Sequence, residues 1–131
     1  MIKRLGKNVA RRLRRRFENY RLPESLSPGH ICSIESGEGR FAVAKILALE
    51  PGIVHVRLYK EKFDSRPNCI DDLGLSLGTV NDTDGVGIGH LPLSARNFAS
   101  WEPIIITQAG GSEEELEGYN LWKESGGGVW G

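Results

Sequence analysis

Five side chains of this 131-residue sequence could bind a metal ion or support nucleophilic catalysis. They are three histidines and two cysteines: His30, His55, His90, Cys32 and Cys69. Zinc sites usually contain closely spaced ligand pairs such as CxxC or HxxxH, and neither spacing occurs here. A nucleophile formed by Cys32 or a serine beside His55 would depend entirely on the fold. We therefore predict no catalytic residues, no metal ligands and no cofactor, and we retain a small hydrolase or metal-dependent enzyme as a third alternative.

Two loop motifs look like binding sites but lack essential positions. The run Asp82-Thr83-Asp84-Gly85 has the composition of a calcium-binding loop. An EF-hand loop also needs a glutamate at its twelfth position, which is Leu93 when counted from Asp82. The glycines that follow do not form a GxGxxG phosphate-binding motif. The sequence therefore predicts an ordinary loop in this region.

The charged residues divide the chain into two pieces of opposite sign. Residues 1–21 contain nine basic residues and one acid, a net charge of +8, whereas residues 22–131 contain eight basic and sixteen acidic residues, a net charge of −8. Apolar residues recur in the basic piece at intervals of three and four: Ile2, Leu5, Val9, Leu13, Phe17 and Tyr20. This spacing predicts a basic amphipathic helix over residues 1–21, ending before Pro23, with residues 22–29 as a linker.

This basic helix is compatible with three kinds of partner. Its arginines could bind nucleic-acid phosphates or an anionic membrane surface: Arg11, Arg12, Arg14, Arg15 and Arg16. A mitochondrial targeting segment is a further alternative, although the segment lacks serine. The opposite charge of the remaining chain favours packing of the helix on its own domain by a narrow margin.

The stretch from Gly29 to Phe63 predicts three antiparallel strands that frame a single domain over residues 30–131. The second and third strands, Arg40–Glu50 and Ile53–Phe63, form a hairpin around Pro51-Gly52 in which Leu49 faces Val54 and Leu47 faces Val56. This register directs the odd-numbered residues of the second strand to the core: Phe41, Val43, Lys45, Leu47 and Leu49. We expect Leu47, Val56 and Leu58 to be buried.

The other face of the hairpin combines small alanines with three long side chains, His55, Arg57 and Tyr59. These three residues of a shallow trough are candidates for binding a partner, because arginine and tyrosine contribute strongly to protein interfaces. We favour the alternative that a helix of the same protein or water covers this face.

The remaining elements are shorter. The pattern predicts a brief strand over Ser76–Val80 and a helical turn within residues 90–101, capped by Ser94. The run Ile104–Thr107 predicts a strand buried on both faces. Ser112 and Glu115 form a capping box that begins a C-terminal helix over residues 113–124.

These elements predict an α+β, mainly β fold: a small SH3-like antiparallel barrel or curled sheet, flanked by an N-terminal basic helix and a C-terminal helix. No apolar run reaches the roughly 18 residues of a membrane span, and no secretory leader is apparent. Two cysteines are too few for a disulfide framework. We therefore expect free thiols and a cytoplasmic location.

Four segments resemble a bacterial family: GHICSIESGEGRFAVAKILA, GIVHVRLYKEKF, HLPLSARNFASWEPIII and EEELEGYNLWKE. Together they resemble the immunity proteins associated with polymorphic toxins, over about Pro28–Trp130. The resemblance implies a small cytoplasmic β-barrel that binds another protein, and it assigns no ligand residues. We predict a non-catalytic binding module for a protein partner. The alternative is an adaptor held on nucleic acid or an anionic membrane through residues 1–21.

Overall fold

The computed structural model describes residues 20–71, 73–79 and 85–130. The predicted basic helix, with its five candidate arginines, therefore lies outside the described residues except for Tyr20 and Arg21. The aspartates of the calcium-like loop also lie outside them. No helix in the described part of the chain is both long and apolar enough to cross a membrane.

The described residues form an α+β fold dominated by one antiparallel sheet. In chain order the elements are β1 (His30–Gly37), β2 (Arg40–Glu50), β3 (Ile53–Leu58), β4 (Ile88–Ser94), α1 (Ala95–Ser100), β5 (Ile104–Gln108) and α2 (Glu113–Glu124). The five strands are arranged in the order β4-β3-β2-β1-β5. Their pairings leave β4 and β5 at opposite ends, so the sheet is open and is not a closed barrel.

Both hairpins of this sheet turn within two residues. Glu50 pairs with Ile53 around Pro51-Gly52, as predicted, and Gly52 has a φ of 76° that a side chain would disfavour. Gly37 pairs with Arg40 around Glu38-Gly39, whose φ angles of 54° and 73° are those of a type I′ turn. Short turns of this kind hold β1, β2 and β3 in fixed register.

A β-bulge in β2 changes the predicted facing of the hairpin. Leu49 pairs with Val54 and Ala48 pairs with His55, but the register then shifts, so that Ile46 and not Leu47 lies opposite Val56. The extra residue reverses the face of the sheet on which the side chains before the bulge lie. The predicted Leu47–Val56 pair is therefore wrong, as is the core-facing assignment of the odd-numbered residues before the bulge.

The core consists of small and branched residues from four strands together with Phe98 of α1. Its buried members are Cys32, Ile34, Ala42, Ala44, Ile46, Val54, Val56, Leu93 and Phe98. Leu22, Leu26, Leu58 and Trp101 pack against this cluster and are partly buried. Of the residues predicted to be buried, Leu47 and Val56 are confirmed, while Leu58 is only half-buried.

The two helices begin where the sequence predicts. Ser94 caps α1 by accepting a hydrogen bond from the backbone of Asn97. Ser112 and Glu115 form the capping box of α2, and three glutamates in the first turn lie at the positive end of the helix dipole. Helix α2 packs on β2 and β4, on the sheet face opposite the core. The sheet therefore separates the apolar core from a second layer beneath α2.

Three other predictions about the strands are wrong. The third strand ends at Leu58, and Phe63 makes only an isolated bridge with Phe41. The described residues of the predicted Ser76–Val80 strand, 76–79, are irregular. Strand β5 pairs with β1 at one edge of the described sheet, and Ile104 is 53% exposed. The prediction that this apolar strand is buried on both faces is therefore wrong.

We expect Ile46→Ala to lower the free energy of unfolding by about 2–5 kcal/mol, because a completely buried side chain would leave a cavity. Leu49→Ala is a control from the same strand, since Leu49 is 37% exposed. We expect this control to cost less than about 1 kcal/mol. Urea unfolding curves would measure both values. A larger loss for Leu49→Ala than for Ile46→Ala would contradict the bulged register.

Candidate functional site

The sheet face beneath α2 carries charged and aromatic side chains. We refer to them together as the polar layer: Lys45, Glu50, His55, Arg57, His90, Glu115, Tyr119 and Trp122. Strands β2, β3 and β4 supply the first five, and α2 supplies the last three. Every buried side-chain nitrogen or oxygen among the described residues has a hydrogen-bond partner. The layer is therefore a satisfied polar network, as burial of such groups requires.

An ion pair between Lys45 and Glu115 fixes the start of α2 to the sheet. Lys45 is only 4% exposed, and its Nζ donates to both carboxylate oxygens of Glu115 at 3.1 and 3.2 Å and to the Gly110 carbonyl at 2.6 Å. Arg57 Nε lies 3.9 Å from the same carboxylate. Burial alone would raise the pKa of Glu115, but the Ser112 backbone N–H and the Lys45 ammonium outweigh it, so the pKa lies below its usual value.

A hydrogen-bonded chain of three titratable groups lies at the other end of the polar layer. His55 Nε2 is 2.8 Å from Glu50 Oε2, and His55 Nδ1 is 2.9 Å from His90 Nε2. His55 is completely buried, with the rings of Trp122 and Tyr119 centred 4.4 and 4.6 Å from its own ring. Burial, and then the neighbouring His55, lower the pKa of His90. The chain joins β2, β3 and β4 beneath α2.

The predicted trough residues belong to this region but are not open to solvent as a group. His55 is buried beneath α2, whereas Arg57 and Tyr59 are half-buried. The pKa of Tyr59 is raised by burial and by Glu115, against the opposing effect of Arg57. A helix of the same protein thus covers His55. Partner binding by Arg57 and Tyr59 stays a prediction, as does binding by the arginines of residues 1–21.

The fold separates the other residues that could have formed a catalytic or metal site. Cys32 lies in the apolar core, on the sheet face opposite His55, and burial raises the pKa of its thiol to about 12, so the thiol is protonated. Cys69 is exposed in the loop after β3, and His30 bonds only locally to Ser27. Within the described ranges, no three His, Cys, Asp or Glu side chains are placed to hold a metal ion.

A cavity of about 400 Å³ opens at the end of the sheet where β1 meets β2. Its lining includes the core residues Ile34 and Ala42, whose burial at 2% and 0% exposure places them at its floor, and the half-buried residues Trp101 and Leu58. The other lining residues are polar or small: Glu35, Ser36, Gly37, Lys62 and Ser100. This Trp101 cavity combines an apolar floor with a polar rim, the usual composition of a binding pocket. A second cavity, of about 510 Å³, lies between Leu47 and Leu116.

Arg66 fixes the backbone beside the Trp101 cavity. Its Nη1 donates to the Ser33 carbonyl and hydroxyl at 3.0 and 2.9 Å and to the Glu102 carbonyl at 3.0 Å, and its guanidinium lies 4.9 Å from the centre of the Phe41 ring. Ser33 precedes the cavity residues of β1, and Glu102 follows Trp101. One side chain from the loop after β3 thus connects the two segments that shape the cavity.

The sequence did not identify the Trp101 cavity. Its lining comes from β1, β2, the end of β3, the following loop and the end of α1, none of which carries a motif. A tryptophan after a short capped helix and before Pro103 was the one local signal.

In comparisons with protein-family models, curated proteins and solved structures, none matched this chain.

We expect Glu115→Gln to destabilise the protein by about 1–3 kcal/mol, because the buried ammonium of Lys45 would lose its charged partner. Glutamine can still serve in the capping box, so the substitution removes the charge and keeps the cap. Glu114→Gln removes an exposed charge in the same turn and should change stability by less than about 0.5 kcal/mol. Chemical unfolding at pH 7 would test this difference, and equal effects of the two substitutions would contradict it.

Proposed function

We propose that the protein is a non-catalytic binding module for a protein partner and that an apolar side chain of the partner enters the Trp101 cavity. The observation that carries this proposal is the pairing of an apolar floor with a tryptophan wall and a charged rim. Tryptophan is enriched among the residues that dominate interface energies. Glu35 and Lys62 at the rim provide both signs of charge for orienting a peptide segment.

The backbone beside the cavity supports a functional role. Glu102 has a φ of 52°, a left-handed conformation that is uncommon for a non-glycine residue. Glu38 also has a positive φ, but the type I′ turn of the β1–β2 hairpin requires it. Glu102 directly follows Trp101, and its conformation costs on the order of 1 kcal/mol or more. Such conformations tend to occur at functional sites, which favours the adjacent cavity as the binding site.

The strand arrangement and the sequence resemblance support the same class of function. Strands β1 to β4 form a consecutive meander, β5 pairs with β1, and the short helix α1 lies directly before β5 in the chain. From this arrangement we infer an SH3-like fold. The resemblance to immunity proteins favours a protein as the partner. The chemical groups suited to catalysis lie elsewhere, since neither described cavity is lined by His55 or His90.

The proposal predicts that Ser36→Trp weakens partner binding by about tenfold or more, about 1.4 kcal/mol, by filling the cavity mouth. The matched control is Asn120→Trp, which adds the same side chain at an exposed position of α2. The partner would be captured from source-cell extract and purified, and its Kd would be measured for each variant with melting temperatures as the folding check. Unchanged affinity in a folded Ser36→Trp protein would overturn the proposal.

A second candidate function rests on the charge of residues 1–21. Nine basic residues in a segment of this length favour an adaptor held on a polyanion, either nucleic acid or an anionic membrane. The acidic character of residues 22–131 would then orient the binding module away from that surface. The two candidates are compatible, because the basic segment and the Trp101 cavity are separate in the chain.

The adaptor candidate predicts that changing Arg14, Arg15 and Arg16 to Gln in the full chain weakens binding to duplex DNA. The logarithm of the binding constant falls as the logarithm of the salt concentration rises, and the three substitutions should reduce the steepness of this fall by about 2–3, because each lost phosphate contact removes about 0.9. The control changes the exposed residues Lys62, Arg96 and Lys123 to Gln, which removes the same charge. The same measurement with anionic vesicles in place of DNA would distinguish a membrane surface from nucleic acid as the partner. Equal losses in both triple variants would contradict a specific role for the basic segment.

A further inference from the structure

The Glu50–His55–His90 chain restricts where protons can be held. A carboxylate only accepts hydrogen bonds, so His55 Nε2 must carry the proton in its 2.8 Å contact with Glu50. In neutral His55 the other ring nitrogen, Nδ1, is then an acceptor. His90 Nε2 must therefore donate the proton of the 2.9 Å contact between the two rings. The two neutral histidines thus have one allowed pair of tautomers.

This arrangement accommodates one additional proton but not two. With one additional proton, His55 carries protons on both ring nitrogens and donates from its Nδ1 to Nε2 of His90. His90 then carries its own single proton on its Nδ1. The resulting imidazolium lies against the Glu50 carboxylate. With a second proton on His90, two N–H groups would face each other across 2.9 Å. The hydrogen bond between the rings would then be lost, and two like charges would adjoin.

Helix α2 lies directly over the histidine pair. A Cβ atom built on Gly118 would lie 2.7 Å from His90 Cβ, so the helix backbone passes directly over this histidine. Tyr119 and Trp122 cover the His55 ring. The same two rings are centred 6.1 and 6.2 Å from the His90 ring, so α2 borders both histidines. Because α2 contains no fully buried residue, its docking is the weaker of the two layers.

We propose that the His55–His90 pair is an acid-operated latch for α2. Uptake of the second proton breaks the hydrogen bond between the rings, and α2 leaves the sheet, which exposes the polar layer. The observation that carries this inference is the combination of the 2.9 Å contact between the imidazoles and the close approach of the α2 backbone to His90 at Gly118.

Charged and titratable groups of every neighbouring element bear on this latch. Glu50 of β2 accepts the 2.8 Å hydrogen bond from His55, and Tyr119 of α2 contacts Glu50 at 3.5 Å. Arg57 of β3 and Lys45 of β2 lie further along the same face and are engaged by Glu115. Lys123 of α2 lies 5.9 Å from the centre of the Tyr119 ring. Glu50 is thus the anion in direct contact with the pair, and it compensates one added charge.

The direction of the pH effect follows from His90. Burial and the neighbouring His55 lower its pKa in the docked form, and release would restore a value near 6.5. The released form therefore binds more protons below about pH 6.5, so docking is strongest above this pH and weakens as the pH falls. Glu115 also holds α2, but its lowered pKa confines its loss of charge to more acidic solutions.

Hydrogen exchange of the full chain at pH 7.5 and 5.0, corrected for the intrinsic effect of pH, would test the latch. The amides of α2 should lose protection relative to those of β2 and β3 by up to roughly 30-fold, the effect of one proton with an ordinary histidine pKa. Equal protection of α2 at both pH values would overturn the proposal.

His90→Gln is the decisive variant, because the glutamine amide can still donate to His55 Nδ1 but cannot take up a proton. Its α2 should stay protected at pH 5.0. His30→Gln removes a histidine bonded only to Ser27 and should keep the wild-type response. A wild-type response in folded His90→Gln would refute the latch.

Nitrogen NMR of the wild-type imidazoles provides a test that needs no variant. The proposal requires that the histidine pair takes up its second proton over the same pH range in which the α2 amides lose their protection from exchange. Two fully protonated histidines beneath a protected α2 would overturn it, even if His90→Gln did not fold.

Discussion

The bulge at Leu47 determines which chemical groups lie on each side of the sheet. Because one extra residue interrupts the alternation of β2, Ala42, Ala44 and Ile46 join Val54 and Val56 on the core side. Lys45 pairs with Arg57 on the other side. In an unbulged hairpin the same residues would place a lysine in the core and a row of alanines outside. The separation of an apolar layer from a polar layer thus depends on this single irregularity.

The polar layer in turn requires α2. Lys45 and His55 are 4% and 0% exposed, and burial of such groups is tolerable only when they are paired. Helix α2 supplies Glu115 to Lys45 and places Tyr119 and Trp122 over His55. The contacts are polar and aromatic, with no deeply buried apolar side chain from the helix. Such an interface is specific in geometry, yet it responds to the protonation of its members in a way that the apolar core does not.

The proposed binding site and the proposed latch lie on different faces and serve different purposes. The Trp101 cavity is floored by core residues and stiffened by Arg66, so its shape depends on the stable side of the sheet. The latch lies beneath α2, on the face where titratable groups meet. A rigid site together with a responsive cover would let one small domain bind a partner and also respond to acid.

The sequence by itself determined the local elements, because their signals depend on neighbouring residues. Alternation and the Pro51-Gly52 turn defined β2 and its hairpin, and Ser94, Ser112 and Glu115 defined the helix starts. The bulge could not be predicted, since no residue type at Leu47 requires it and only the packing of four strands favours it. The Trp101 cavity and the contact between His55 and His90 were equally inaccessible, because each joins segments far apart in the chain. Only the tertiary structure decided which faces met, through the burial of apolar surface and the pairing of the charges that this burial enclosed.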